Sequence, residues 1–224
     1  MIRDGATATA DGTATTGGIA SIAERDVHWR FGWVTDGDPS SVARRWLEEL
    51  VETHRLFAWR GLAAPARGGK PHLRGAPDAD ASISHRGGAL LVAVGRGAGI
   101  GVDVEPAPFG AFDSRALLRR MCTADELERL LGAPADEVTR AAAALWTAKE
   151  AAVKATGRGL AHDFRSFHIS PPVAPASPHA PAVAHLAVAD GTAIALRRLD
   201  LDPLKPARHG IHRAIPAAER FPRS

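Results

Sequence analysis

The sequence has one cysteine, no long apolar segment and no basic run, and each absence excludes a class of protein. Cys122 alone cannot form an intramolecular disulfide or a cysteine-based zinc cluster, which points to a reducing compartment. No apolar run is long enough to cross a bilayer, and the first residues lack the apolar core of a signal peptide. We therefore expect a cytoplasmic protein without membrane contact.

Charge and aromatic content argue against nucleic acid as a partner. Lysine and arginine number 28 against 25 aspartate and glutamate, and the arginines are spread along the chain. Aromatic residues do not interleave with basic ones, as they do on single-strand binding surfaces. With 224 residues, of which 45% are hydrophobic, the chain can bury the core of one large domain or two small halves. We expect a monomer.

The pattern of polar and apolar residues predicts an α+β fold with antiparallel sheets. Four parts are predicted: a disordered segment at 1–24, an N-terminal α+β half at 25–80, a C-terminal α+β half at 81–202, and an extended tail at 203–224. The first half opens with alternating apolar residues from Val27. It continues into a helix that is capped by Ser40 or Ser41 and runs to about Trp59.

The second half begins with three short strands separated by glycine turns, which predict an antiparallel meander at 82–85, 89–95 and 100–105. Further elements are predicted downstream: a helix at 115–121 after Asp113 or Ser114, a helix with a capping box at Thr123 and Glu126 that ends at Gly132, a long helix from about Asp136 to Thr156 ended by Gly157, a strand at 163–169, and a hairpin of 183–189 with 193–199. The long helix is rich in alanine, which has the highest helix propensity.

Two carboxylates share one face of the third strand. In a strand, residues two apart point the same way, so Asp103 and Glu105 lie opposite the apolar residues at 100, 102 and 104. Clustered carboxylates repel each other and lose hydration when buried, which a cation can offset. Mg²⁺ takes oxygen ligands and commonly joins one or two protein carboxylates to substrate phosphates.

The long helix supplies further charges at spacings of three and four residues. Glu150 and Lys154 taken alone form an i,i+4 surface pair worth about 0.2–0.5 kcal/mol. If the helix packs on the strand, however, three carboxylates and the ammonium groups of Lys149 and Lys154 converge. Lysines beside a metal suit a substrate with several phosphates. This combination predicts a phosphoryl-transfer site.

Three segments also carry a family resemblance: Ser82-Ile83-Ser84-His85, Gly99 through Glu105, and Trp146 through Lys154. The chain resembles a 4′-phosphopantetheinyl transferase of the type that acts on carrier domains of polyketide and nonribosomal-peptide synthases. The resemblance runs roughly from Gly69 to Ile169. It implies a pseudo-two-fold arrangement of two small α+β halves with a long helix packed on the sheet, and a role in secondary metabolite biosynthesis.

The resemblance further implies the reaction. Coenzyme A is the expected co-substrate, with Mg²⁺, or Mn²⁺ in its place, held by Asp103, Glu105 and Glu150. A serine of an apo acyl or peptidyl carrier protein attacks the β-phosphate and releases adenosine 3′,5′-bisphosphate. Glu150 is expected to accept the serine proton, and Lys154 to stabilise charge on the leaving phosphate.

Contacts to the cofactor are expected from five residues: Lys70, Ser84, His85, Lys149 and Lys154. The imidazole of His85 would be favoured in its charged form beside a phosphate dianion. Glu126 has an adequate structural role in its capping box, and the resemblance also makes it a candidate near the metal. Four basic residues are candidates for binding the 3′-phosphate of coenzyme A, and the sequence does not distinguish among them: Arg44, Arg45, Arg55 and Arg60.

Two other functions stay open at this point. One is a coenzyme A-binding module without transfer activity, which would more commonly lack one of the charged residues that are all present here. The other is a Mg²⁺-dependent phosphohydrolase that uses the same acids on water and needs no carrier protein.

Overall fold

The computed structural model of the chain describes residues 7–8, 14–63, 70–157, 162–169, 180–191 and 193–201. The strands are β1 Thr7–Ala8, β2 Ala14–Ile22, β3 Arg25–Trp33, β4 Leu62–Ala63, β5 His72–Leu73, β6 Ala79–Arg86, β7 Ala89–Arg96, β8 Gly99–Pro106, β9 Ala182–Asp190 and β10 Ala193–Arg198. The helices are α1 Pro39–Thr53, α2 Arg115–Met121, α3 Ala124–Leu131 and α4 Ala135–Thr156, with 3-10 turns at Gly110–Asp113 and Phe164–Ser166. Within these ranges no helix combines the length and apolar character needed to span a bilayer.

The strands form antiparallel sheets, which confirms the predicted α+β class. A five-stranded sheet has the order β1-β2-β3-β7-β6, and a three-stranded sheet has the order β10-β9-β8. One face of the larger sheet packs on α1, and its other face packs on the smaller sheet. The outer face of the smaller sheet packs on α4. The pseudo-two-fold relation between the halves stays a prediction.

The N-terminal segment contains a strand that the sequence did not reveal. Residues 14–22 form β2, so the prediction of disorder is wrong for them. This strand is built largely from small residues, and its backbone pairs with β3 from Thr15 to Ile22. Pairing through the main chain leaves little trace in side-chain hydrophobicity, which explains the miss. Residues 1–6 and 9–13, and the predicted tail at 203–224, lie outside the described residues.

Strand β8 does not continue the predicted meander. β6 and β7 form a hairpin in the larger sheet, whereas β8 pairs with β9 in the smaller one. The boundary predicted between residues 80 and 81 therefore falls inside β6. A glycine turn such as that at Gly97, with φ of +76°, signals a change of direction but not which sheet the next strand joins.

Helix α1 starts and ends at other positions than predicted. Asp38, not a serine, is the N-cap, because its carboxylate accepts hydrogen bonds from the backbone N–H of Ser40 and Ser41. The helix ends at Thr53, several residues early. Arg55 adopts a positive φ of 52° soon afterwards, which a continuing helix excludes.

The later elements follow the predictions with one exception. Ser114 caps α2, a capping box opens α3, Gly157 ends α4 with φ of 69°, and β9 and β10 form the hairpin. The strand predicted at 163–169 is wrong. Asp163 accepts a hydrogen bond from the Arg165 N–H and so caps a short 3-10 turn instead.

Candidate active site

Strand β8 and helix α4 approach each other so closely that only glycine fits between them. A Cβ on Gly101 would lie 1.8 Å from the carbonyl oxygen of Ala151, and one on Gly99 would lie 2.2 Å from that of Ala155. Any other residue would have to displace the helix. Glycine on the strand and alanine on the helix thus bring the backbone of α4 against β8, beside Asp103.

Asp103 lies at the centre of this contact, and its two carboxylate oxygens differ in their hydrogen bonding. Oδ1 accepts hydrogen bonds from Lys154 Nζ at 2.6 Å and from Ser84 Oγ at 2.7 Å, whereas the buried Oδ2 has no hydrogen-bonding partner in the described part of the chain. Burial raises the pKa of Asp103, although the Lys154 ammonium and the Ser84 hydroxyl act in the opposite direction.

Glu105 and Glu150 complete a buried cluster of acids. Glu105 is 4% exposed and accepts a hydrogen bond from Arg86 Nη1 at 2.9 Å. Burial raises the pKa of Glu105 and of Glu150 to about 7 each, and the negative charge of Asp103 adds to both shifts. Glu150 is also 4% exposed, and its side chain forms no hydrogen bond or ion pair with a described residue. The three carboxylates thus lie near enough for the charge of one to raise the pKa of another, and their joint binding of a metal stays a prediction.

The chemistry of this cluster fits a hard divalent cation, although it is not a closed cage. No set of three or more His, Cys, Asp or Glu side chains within the described ranges is arranged as a metal site. Arg86 forms an ion pair with one carboxylate oxygen of Glu105, and Lys154 forms one with a carboxylate oxygen of Asp103. Mg²⁺ commonly uses one or two protein carboxylates and takes its other ligands from water and phosphate. The free Oδ2 of Asp103 and the unpaired Glu150 offer such ligands.

Lys70 lies at the edge of the same site. Its ammonium contacts the carboxylate of Asp80 and the carbonyl oxygen of Ile100 on β8. Burial lowers the pKa of Lys70, and the nearby charge of Lys154 acts in the same direction. Lys70 and Lys154 thus both donate to backbone carbonyl oxygens of the strand that carries the acids.

Ser84 and His85 are adjacent in β6 but have different surroundings. Ser84 is 7% exposed, and its hydroxyl donates to Asp103 and accepts from the Val104 N–H at 3.3 Å. It therefore positions a site carboxylate in this structure, where the prediction had it contacting the cofactor. His85 is exposed at the end of the strand and is open to a ligand.

Lys149 and Glu126 form a buried ion pair apart from the acid cluster. Lys149 is fully buried, its Nζ lies 2.6 Å from Glu126 Oε2, and it donates to the carbonyl oxygens of Phe164 and Phe167. Because every contact is internal, the prediction that Lys149 touches a phosphate is corrected to a structural role. Glu126 also accepts from the Ile169 N–H at 2.8 Å, and so ties α3 and α4 to residues 162–169.

Sequence reasoning missed a ladder that joins the two sheets. Three alternate side chains of β6 accept hydrogen bonds from three alternate N–H groups of β8: Asp80 from Ile100, Ser82 from Val102 and Ser84 from Val104. The alternation of short polar residues in β6 was the available signal. This ladder holds β8 in register beside β6, although the two strands belong to different sheets.

His185 is a second residue that the sequence did not single out. It pairs in register with Asp103 across β8 and β9, so both side chains face α4. Its Nδ1 lies 2.7 Å from Thr147 Oγ1, and its buried Nε2 has no hydrogen-bonding partner among the described residues. Burial, aided by the charge of Arg198, lowers the pKa of His185 to about 3, so the ring stays neutral.

Replacing His185 with glutamine is expected to reduce the acid sensitivity of the fold. Unfolded histidine binds a proton near pH 6.5 and folded His185 only near pH 3, so its contribution to stability is full above 6.5 and is lost as pH falls. Between pH 6.5 and 5 wild type should lose about 2 kcal/mol more than the variant. Urea denaturation of both proteins between pH 6.5 and 5 would measure this difference in the free energy of unfolding. His72→Gln, at an exposed histidine, is the control, and an equal pH slope in wild type and His185→Gln would contradict the assignment.

Comparison with known proteins points to one family. Residues 99–185 match the family model described as the 4′-phosphopantetheinyl transferase superfamily. The matched stretch contains the four charged residues of the cluster, namely Asp103, Glu105, Glu150 and Lys154. Over 150 residues the chain is 35% identical to the 4′-phosphopantetheinyl transferase psf-1 of Bacillus pumilus, covering 66% of this chain and 63% of that relative. The similarity thus spans less than two thirds of the relative's length.

Proposed function

The chain belongs to the 4′-phosphopantetheinyl transferase superfamily, and from that premise we propose that it transfers the 4′-phosphopantetheine group of coenzyme A to a serine of an apo acyl or peptidyl carrier protein. The observation that carries this proposal is the face of β8 on which α4 brings Glu150 and Lys154 beside Asp103 and Glu105. We further propose that the carriers belong to secondary metabolism and that the protein acts as a cytoplasmic monomer.

The acid cluster would hold the divalent cation. Asp103, Glu105 and Glu150 supply carboxylate oxygens in a buried setting, which fits Mg²⁺, with Mn²⁺ as its substitute. When bound, the ion supplies positive charge that neutralises the pyrophosphate and lowers repulsion of the nucleophile. Burial penalises the charged form of each carboxylate, and the negative charge of Asp103 adds to this cost at Glu105 and Glu150, so a cation would relieve it.

Glu150 and Lys154 have the chemistry for the proton and the leaving group. The serine oxygen forms a bond to the β-phosphorus of coenzyme A while the bond to adenosine 3′,5′-bisphosphate breaks. Glu150 takes the serine proton, because its carboxylate lies beside Asp103 and Glu105 and has no ion-pair partner among the described residues. Lys154, 29% exposed at its side chain, donates to Asp103 and to the carbonyl oxygen of Val102, and can turn its third N–H to the leaving phosphate. Lys70 and His85 are proposed to bind the nucleotide phosphates.

The test is incubation of the protein with coenzyme A, Mg²⁺ and an apo carrier protein, followed by intact-mass measurement of the carrier. A phosphopantetheine-sized gain on the carrier serine is the expected result. Binding of coenzyme A with no gain on several carriers would favour a binding module. Breakdown of coenzyme A without a carrier would favour a phosphohydrolase.

A further inference from the structure

Arg86 is a charged residue of the site that the function proposed above does not use. It ends β6, and its side chain is 54% exposed. One of its nitrogens, Nη1, lies 2.9 Å from Oε1 of Glu105, whose side chain is only 5% exposed. Glu105 therefore depends on a surface residue for its counter-charge.

The position of Arg86 follows from the ladder between β6 and β8. Side chains two apart on β6 meet side chains two apart on β8: Ser84 donates to Asp103, and Arg86 donates to Glu105. The ladder thus ends, at the open edge of the site, in a long cationic side chain. The Ser84 hydroxyl is short and can contact only nearby groups. The Arg86 side chain is long and flexible, so its guanidinium can contact either Glu105 or a ligand at the surface.

The contact between Arg86 and Glu105 is weak enough to be exchanged. It uses one N–H of a guanidinium that has five, and no other described residue accepts from Arg86. A single contact from an exposed arginine contributes little to stability. Guanidinium groups bind phosphate oxygens with paired, charge-assisted hydrogen bonds, which are stronger than one contact of this kind.

We propose that Arg86 alternates between two partners: Glu105 in the free protein and a phosphate oxygen of coenzyme A in the complex. In the free protein Arg86 takes the place of the divalent cation at Glu105. When the anionic substrate arrives, the guanidinium transfers to phosphate, and Glu105 becomes available to the cation. Arg86 is then a substrate-binding residue that also couples cation binding to substrate binding. This inference rests on the proposed function.

Because Arg86 alternates between these partners, Arg86→Ala should raise the affinity for the cation and lower the affinity for coenzyme A. Without its competitor, Glu105 should bind a cation more tightly, so the affinity for Mn²⁺ in the absence of coenzyme A should rise about threefold to tenfold. The affinity for coenzyme A should fall about tenfold, because a charge-assisted contact to phosphate is lost. Arg86→Lys should keep the charge but not the paired geometry, and should give intermediate values.

Free Mn²⁺ measured by electron paramagnetic resonance and coenzyme A binding measured by calorimetry would report the two affinities. Arg25→Ala is the matched control, since Arg25 forms a 2.8 Å ion pair with Asp190 near the opposite end of β8. It removes the same charge and should change neither affinity. If Arg86→Ala weakens Mn²⁺ binding, or leaves coenzyme A binding unchanged, the exchange does not occur. A wild-type protein that binds no coenzyme A would refute the proposed function, and this assignment with it.

Discussion

Glu150→Gln is expected to reduce phosphopantetheine transfer by about 10²–10⁴-fold and, at the same time, to make the free protein more stable at pH 8. The loss follows because an amide cannot accept the serine proton and is a poorer ligand for a hard cation. Glutamine keeps the size of the side chain, and Glu150 makes no ion pair with a described residue that the change could break. The helix should therefore stay in place.

The gain in stability follows from the direction of the pKa shift. Folded Glu150 has a pKa of about 7, above its ordinary 4.5, so the folded state binds the proton more tightly than the unfolded state. The tighter proton binding of folded Glu150 stabilises the fold fully below pH 4.5, and this stabilisation is lost as the pH rises through 7. At pH 8 wild type carries a buried, repelled carboxylate that the variant lacks. The variant should be more stable there by on the order of 1–3 kcal/mol, and little different at pH 4.

Transfer rates and urea denaturation at pH 4 and pH 8 would measure both effects. Glu128→Gln is the control, because Glu128 is exposed on α3 and the substitution removes the same charge. A variant that retained wild-type activity would exclude Glu150 as the base. A variant that lost activity and stability together would show that Glu150 supports the fold instead.

Gly101→Ala is expected to destabilise the fold by about 3 kcal/mol or more and to disrupt the site. The added methyl carbon would lie 1.8 Å from the carbonyl oxygen of Ala151, a backbone atom that can move only with the helix. Moving α4 off β8 separates Lys154 from Asp103, which now lie 2.6 Å apart. Transfer activity should therefore fall further than the loss of folded protein explains.

Gly110→Ala provides the matched comparison for this substitution. A Cβ on Gly110 meets no atom within 4 Å, and the residue lies in an exposed 3-10 turn. Thermal or urea unfolding of the two variants, with activity measured at a temperature where both are folded, would separate packing from chemistry. If Gly101→Ala proves as stable as Gly110→Ala, the close approach of strand and helix is not what holds the site.

Local sequence pattern was enough to predict the elements that carry the site. Alternation in 100–105 placed Asp103 and Glu105 on one face, and alanine content with a terminal glycine set the long helix almost to the residue. These signals are local, since a strand period, a capping box and a helix stop depend on neighbours within a few positions. The acid cluster was predicted because each member lies on a regular element.

The packing of the layers, by contrast, sets which sheet β8 joins and what each charged side chain contacts. Lys149 and Glu150 are adjacent in sequence, yet one is neutralised by Glu126 in the core and the other faces the acid cluster. The hydroxyl of Ser84 turned out to hold Asp103 through a bond between two sheets. Such contacts join residues far apart in the chain, so their partners depend on how the layers pack and cannot be read from local sequence pattern.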